Sequence, residues 1–149
     1  MSSEKRKIAY IDGKPYEIGA NHTSILKFVK SYVGEKKVPT LCDDPNLAPY
    51  GACRVCSVEV ALEKDGPTRM VASCHTPVVE NQHIFTSNEA ITNLRKNIVE
   101  LVLTDHPMEC DSCEVNNNCE LQTVANDLGI SDHRYCLLYT SPSPRDLLK

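Results

Sequence analysis

Eight cysteines occur in the 149 residues, and seven of them fall into two tight groups. The first group, Cys42, Cys53, Cys56 and Cys74, has the spacing Cys-x10-Cys-x2-Cys-x17-Cys. Four thiolates can hold a 2Fe-2S cluster, two per iron, and such sites gather several ligands from one loop and another from elsewhere. A loop is needed because ligands must converge on one small object, which regular secondary structure rarely allows. Gly51-Ala52-Cys53-Arg54-Val55-Cys56 supplies that loop. Gly51 lets the backbone pass close to a cluster, so that amide N–H groups donate to its sulfurs. Two other readings compete. A lone Cys-x2-Cys is half a zinc knuckle, but the next such pair begins only at Cys110, too far away for its other half. Inert core cysteines are common, yet three of these lie in a stretch rich in Pro and Gly.

The second group is His106, Cys110, Cys113 and Cys119, spaced His-x3-Cys-x2-Cys-x5-Cys. Three cysteines alone leave one iron of a 4Fe-4S cubane unfilled, and His106 supplies the fourth position. A Cys3His zinc site accepts the same donors, and spacing alone does not exclude it. An isolated histidine is ordinarily a surface residue; the place of His106 just before the cysteine run reverses that preference. An imidazole in place of a thiolate makes a cluster one unit less negative and raises its potential, which Asp105, Glu109 and Asp111 oppose.

Composition agrees with metal rather than disulfide chemistry. There are 16 Lys+Arg against 20 Asp+Glu, so no basic footprint for nucleic acid exists. The longest apolar run does not approach the roughly 20 residues of a membrane span, and the amino end lacks a secretory core. A cytoplasmic protein is expected, in a soluble or membrane-associated complex, and in that reducing compartment closely spaced cysteines favour metal. No Gly-rich phosphate loop, nucleophile elbow or paired-carboxylate arrangement is present, so the residues bind rather than make bonds on a substrate.

The elements that must position these groups follow from periodicity. Lys7–Ile11 alternates, Asp12-Gly13 is a hairpin turn pair, and Tyr16–Ile18 returns. Thr23–Val33 has helical spacing and stops at Gly34. Val38–Cys53 is loop, Cys56–Leu62 and Arg69–Ser73 are paired strands, and Val78-Val79 and His83–Phe85 are short extended pieces. Thr86 and Glu89 form a capping box for a helix with Ile91, Leu94, Ile98, Leu101 and Val102 on one stripe, ending near Asp105. Glu120–Leu128 forms a last helix closed by Gly129. This order gives an α+β domain over residues 7–86 and a small α-helical segment over 87–130, after a disordered stretch at 1–6. His22, His75, His83 and His133 lack ligand-spaced partners, although His75 can tune the first site. Lys27, Lys30, Lys36 and Lys37 form a solvated face or a dock for an acidic redox partner. Asp43-Asp44 is loop chemistry.

Taken together, Cys42/Cys53/Cys56/Cys74 followed by His106/Cys110/Cys113/Cys119 resembles the iron–sulfur amino-terminal region of three oxidoreductase groups. These are the large iron–sulfur subunit of NADH:quinone oxidoreductase, the alpha subunit of NAD-dependent molybdenum formate dehydrogenase, and Fe-only hydrogenases. The resemblance covers about Ile8 to Tyr135. It implies a ferredoxin-type β-grasp domain with one 2Fe-2S cluster, then a 4Fe-4S cluster held by His106 and three cysteines. It also implies single-electron transfer within a larger polypeptide, with flavin- and NAD-binding diaphorase-type partner subunits and no membrane insertion of its own. Leu94-Arg95-Lys96, Glu100-Leu101, Asp105-His106-Pro107, Asn118-Cys119-Glu120-Leu121-Gln122 and Arg134-Tyr135 read most like formate dehydrogenase alpha, whose molybdenum–pterin centre would lie downstream. A free-standing ferredoxin-like carrier and a zinc-stabilised binding module are the alternatives. The string Cys136–Asp146 resembles a translated sequencing adapter, so residues 136–149 are expected to be non-native and the natural chain to continue past Tyr135.

Overall fold

Asp12 and Gly13 adopt left-handed conformations (φ 47° and 83°), which turns β1 (Ile8–Ile11) tightly into the antiparallel β2 (Lys14–Glu17). This is seen in a computed structural model, which describes residues 6–132 and 134–135. The expectations placed on residues 1–5, on His133 and on the tail from Cys136 lie outside the described residues. Two compact units divide between Arg95 and Lys96.

In the first unit, helix α1 (Ile25–Val33) follows the hairpin, and the chain then runs through a 3-10 turn (Glu35–Lys37) and a long loop. Strands β3 (Ser57–Ala61) and β4 (Arg69–Ala72) pair antiparallel; β5 (His83–Phe85) inserts between β1 and β3. The sheet order is β2-β1-β5-β3-β4, with β1 and β5 parallel. This mixed sheet with a helix crossing it is the ferredoxin-type β-grasp arrangement. Ile25, Leu26, Phe28 and Val29 of α1 are buried in one core with Ile11, Val58, Val60 and Ile84 of the sheet. Cys56 and Cys74 lie in that same core.

The start of α1 is secured from two directions. The Ser24 hydroxyl accepts from Lys27 N–H (3.3 Å). Ile25 and Leu26 N–H donate to the carbonyls of Thr76 and Ser73 (both 2.9 Å). The helix N-terminus thus docks on the segment that carries Cys74, and orphan N–H groups are satisfied in doing so.

Helix α2 (Glu89–Leu103) begins differently from the expected capping box. The cap is Asn88, whose side-chain oxygen accepts from Ile91 N–H (2.8 Å). Thr86 is fully buried and engaged elsewhere: its N–H and hydroxyl donate to the two carboxylate oxygens of Asp12 (2.8 and 2.6 Å). Replacing Asp12 by alanine leaves both donors without that partner, at roughly 1–3 kcal/mol for such a loss. Asp12→Ala is therefore expected to lower the denaturation midpoint of the first unit by about 2 kcal/mol of stability, measured by urea unfolding. The buried stripe of α2 is Ile91, Arg95, Val99 and Leu103, whereas Leu101 and Val102 are exposed. Val78-Val79 forms no strand.

In the second unit, Val99, Leu103, Val124, Ala125 and Ile130 are buried. Helix α3 (Glu120–Asp127) closes at Gly129, with φ 68° and Ile130 N–H donating to the Ala125 carbonyl (2.9 Å). Arg134 returns to α2, where its side chain donates to Glu100 (2.7 Å) and to the Asn97 oxygen (2.5 Å).

Candidate iron–sulfur sites

The first candidate site is built where the long loop meets the β3–β4 hairpin. Cys42 and Cys53 are half-buried on the loop, Cys56 is buried just before β3, and Cys74 is buried two residues after β4. Cys53 N–H donates to the Cys42 sulfur at 3.5 Å. At Cys42 this amide pulls the thiol down, but burial and the neighbouring Cys53 thiol outweigh it and the net shift is upward. Burial pushes Cys53 up, yet the Val55 amide, the Cys42 thiol and the Leu41 amide carry it below its ordinary value. Burial drives Cys74 up to about 12, with the Cys56 and Cys42 sulfurs adding to the effect and the Gly51 amide opposing it. Each of these interactions requires the sulfurs to be near one another and near several N–H groups. Converging thiols under inward-pointing amides suit the thiolate ligands and the sulfurs of a 2Fe-2S cluster.

Gly51 has φ +78°, and a Cβ there would come within 3.1 Å of the Ala72 Cβ. Only glycine fits this approach without strain. Arg54 also takes a left-handed conformation (φ 64°), turning the chain between Cys53 and Cys56. Two further residues brace the loop. His75 Nδ1 lies 3.1 Å from the Pro49 carbonyl. Lys30 of α1 reaches Asp43 (3.3 Å) and Glu35 (3.2 Å). Burial depresses the Lys30 pKa, but these two acidic partners outweigh that effect and hold it above its usual value. Lys37 lies 3.6 Å from Asp12, so two of the four lysines noted in the sequence are tied within the chain.

The second candidate site lies in the loop between α2 and α3. His106, Cys110, Cys113 and Cys119 all line one cavity of about 290 Å³, whose other walls include Leu103, Met108, Val115, Leu121 and Ile130. Cys110 opens a short 3-10 turn, and Cys113 N–H donates to its carbonyl (3.1 Å). Cys119 stands at the N-cap of α3, where the helix dipole favours a negatively charged sulfur. Gln122 straps the intervening loop: it accepts from Asn117 N–H and donates to the Asn116 side chain, both at 2.8 Å. The sequence carried no signal for that strap beyond a polar residue one turn into the helix. The donor set and its partly apolar walls fit a 4Fe-4S group.

Among the described residues, no three His, Cys, Asp or Glu side chains close on one point as a single-ion site requires. Cluster binding does not demand it, because ligands are spread over separate irons. Among the described residues, the remaining histidines have other partners. His22 accepts from Gly19 N–H at 2.9 Å, and His83 stacks on Tyr10 at 4.4 Å. No helix among the described residues is long and apolar enough to cross a membrane.

A β-grasp domain with four neighbouring thiols, followed by a helical unit whose loop gathers three cysteines and a histidine, is the arrangement of an iron–sulfur-binding protein. The chain belongs to the 2Fe-2S iron-sulfur cluster binding domain family, whose model matches residues 7–89. Residues 95–134 match the NADH-ubiquinone oxidoreductase-G iron-sulfur binding region. The chain accordingly has binding regions for one 2Fe-2S and one 4Fe-4S cluster.

Curated relatives include the NADPH-Fe(3+) oxidoreductase subunit alpha of Geobacter sulfurreducens, 36% identical over 125 residues. The NADP-reducing hydrogenase subunit HndD of Solidesulfovibrio fructosivorans is 37% identical over 131 residues. A subunit of the NADH-quinone oxidoreductase of Escherichia coli is 35% identical over 128 residues. These alignments cover 84%, 84% and 85% of this chain but only 14%, 21% and 14% of the respective relatives. The fold is shared with a solved NAD+-reducing [NiFe]-hydrogenase chain at TM-score 0.73 and 24% identity, over 92% of this chain and 55% of that one.

Proposed function

We propose that Cys42, Cys53, Cys56 and Cys74 ligate the 2Fe-2S cluster and that His106, Cys110, Cys113 and Cys119 ligate the 4Fe-4S cluster. The observation that supports this most is proximity: the first four sulfurs interact with one another across loop and hairpin, and the second set of four lines one cavity. When bound, the clusters accept and release single electrons. The residues hold the clusters in two different settings. Loop amides donate to the first set of sulfurs, whereas the second set lines an open cavity in which His106 and Cys113 are exposed.

In this reading the chain is the amino-terminal electron-transfer part of a large oxidoreductase subunit working with flavin- and NAD(P)-binding diaphorase-type partners. The relatives support that class, since they are named as subunits of NADH-, NADPH- or NADP-linked enzymes. For the particular activity we propose an NAD-dependent formate dehydrogenase alpha subunit, on the residues from Leu94-Arg95-Lys96 to Arg134-Tyr135. Its molybdenum–pterin centre then belongs to polypeptide beyond this chain. The full-length gene tests this: a pterin-binding domain with further Cys-x2-Cys-x2-Cys-x3-Cys-Pro runs supports it, and hydrogenase-type cysteines or a stop codon near codon 135 overturn it.

The cofactor assignment is tested on anaerobically prepared chain. About six irons and about six acid-labile sulfides per chain are expected, two of each from one cluster and four from the other. About two of each with one zinc would make the second motif a zinc module. Colourless protein, silent in paramagnetic resonance after dithionite, would overturn both sites.

A further inference from the structure

Arg95 is the one buried Lys or Arg among the described residues, only 5% exposed. Its Nε donates to the Val55 carbonyl (3.1 Å) and its Nη2 to the Ser57 carbonyl (2.8 Å). Between them, the Cys56 carbonyl accepts from Ser73 N–H (3.3 Å) and from the Ser73 hydroxyl (2.7 Å). The Arg54 carbonyl accepts from Ser57 N–H (3.1 Å) and from the Ser57 hydroxyl (2.6 Å). Four successive carbonyls, 54 to 57, are therefore pinned around Cys56.

These two carbonyls take two of the guanidinium's five N–H donors but do not balance its charge. Removing a cation from water costs several kcal/mol unless an opposite charge compensates it. Among the described residues no carboxylate forms an ion pair with Arg95. Burial lowers its pKa to about 10, and the Cys56 sulfur is the one charge that pulls it back up. The side chain stays protonated at neutral pH, with its compensation on the Cys56 side. Lys30, a half-buried cation near the loop, is already balanced by Asp43 and Glu35.

We propose that Arg95 is a positioning residue of the 2Fe-2S site, fixing the backbone on either side of Cys56 and supplying the buried positive charge that holds the cluster's reduction potential up. This rests on the assignment of Cys56 as a ligand. Reduction adds one electron and no proton to a site that is already negative. A fixed cation in a dry surrounding favours that added charge, and salt screens it far less than it screens exposed lysines.

The test is a redox titration of the full chain under argon, with dithionite as electron donor and the 2Fe-2S paramagnetic signal as readout. Arg95→Gln should lower the equilibrium constant for reduction about tenfold, a midpoint shift of about 59 mV for one electron. Arg95→Lys keeps the charge while losing the fork, so it should retain most of the wild-type midpoint and lose thermal stability. Should Arg95→Gln fail to hold its cluster, citrulline in place of Arg95 keeps both N–H donors and removes only the charge. An unchanged midpoint in a neutral variant with full iron content overturns the proposal. So does an Arg95→Lys midpoint as low as that of Arg95→Gln. Cys56→Ala separates the two layers: a 2Fe-2S signal that survives it would sink the ligand assignment, whereas a flat Arg95 series with that signal lost would leave the assignment standing.

Discussion

Cys56→Ala should remove about two irons and two sulfides of the roughly six per chain, leaving the 4Fe-4S signal in place. Cys56 is the most constrained of its set, with its sulfur in the core and its carbonyl bonded twice by Ser73. No neighbouring thiol can replace it without moving that backbone. The change also removes binding energy that exists only in the folded state, so stability falls beyond the small loss of packing at the missing sulfur. Each kcal/mol lost lowers Tm by roughly 4–8 °C in a domain of 60–100 residues. A loss of several kcal/mol, visible as a separate early transition in calorimetry, is the expected result. His75→Ala is the contrast, because His75 braces the loop from an exposed position, and it should keep the cluster. Full iron content in Cys56→Ala would falsify the ligand set.

The second large effect is at His106. Exchanging two thiolates for two imidazoles lifts 2Fe-2S potentials by roughly 250 mV or more, so one such exchange is worth on the order of 100 mV. His106→Cys should therefore keep a 4Fe-4S cluster while its midpoint drops by about that amount, read by potentiometric titration of the paramagnetic signal. The variant retains four donors around the same cavity, which separates a change of ligand charge from loss of the cluster. Asp105, Glu109 and Asp111 are present in both proteins and cancel in the difference. An unchanged or higher midpoint would remove His106 from the set. A zinc site would show no such signal in either protein.

Much of the fold was legible because local chemistry and tertiary need agreed. Asp12-Gly13, the apolar face of α1, the alternating β3 and β4, and Gly129 all formed the elements their residue types predict. Spacing marks out the two groups of residues that the structure brings near one another, since few other roles place so many cysteines in loops. Two departures share one cause, a polar residue recruited across the fold. Thr86 looked like a helix cap but is held by Asp12, 74 positions earlier, which leaves capping to Asn88. The apolar residues of α2 phase the stripe onto Leu101 and Val102, yet Arg95 occupies a buried turn and those two residues are exposed. No periodicity rule assigns an arginine to a core stripe; only the carbonyls around Cys56 explain it. The parallel pairing of β1 with β5 was likewise hidden, because two short strands so far apart carry no local sign of each other.

That pairing has a consequence for how the protein is made. β5, the last strand, occupies an inner lane of the sheet, between the first strand and the third. During synthesis all four cysteines of the first set leave the ribosome before His83–Phe85 can bridge the two halves. Contacts this distant in sequence form late. Nascent chain therefore spends time with its thiols made but unaligned, exposed to oxidation or to stray metal. Cluster insertion is therefore expected to follow closure of the sheet by that strand.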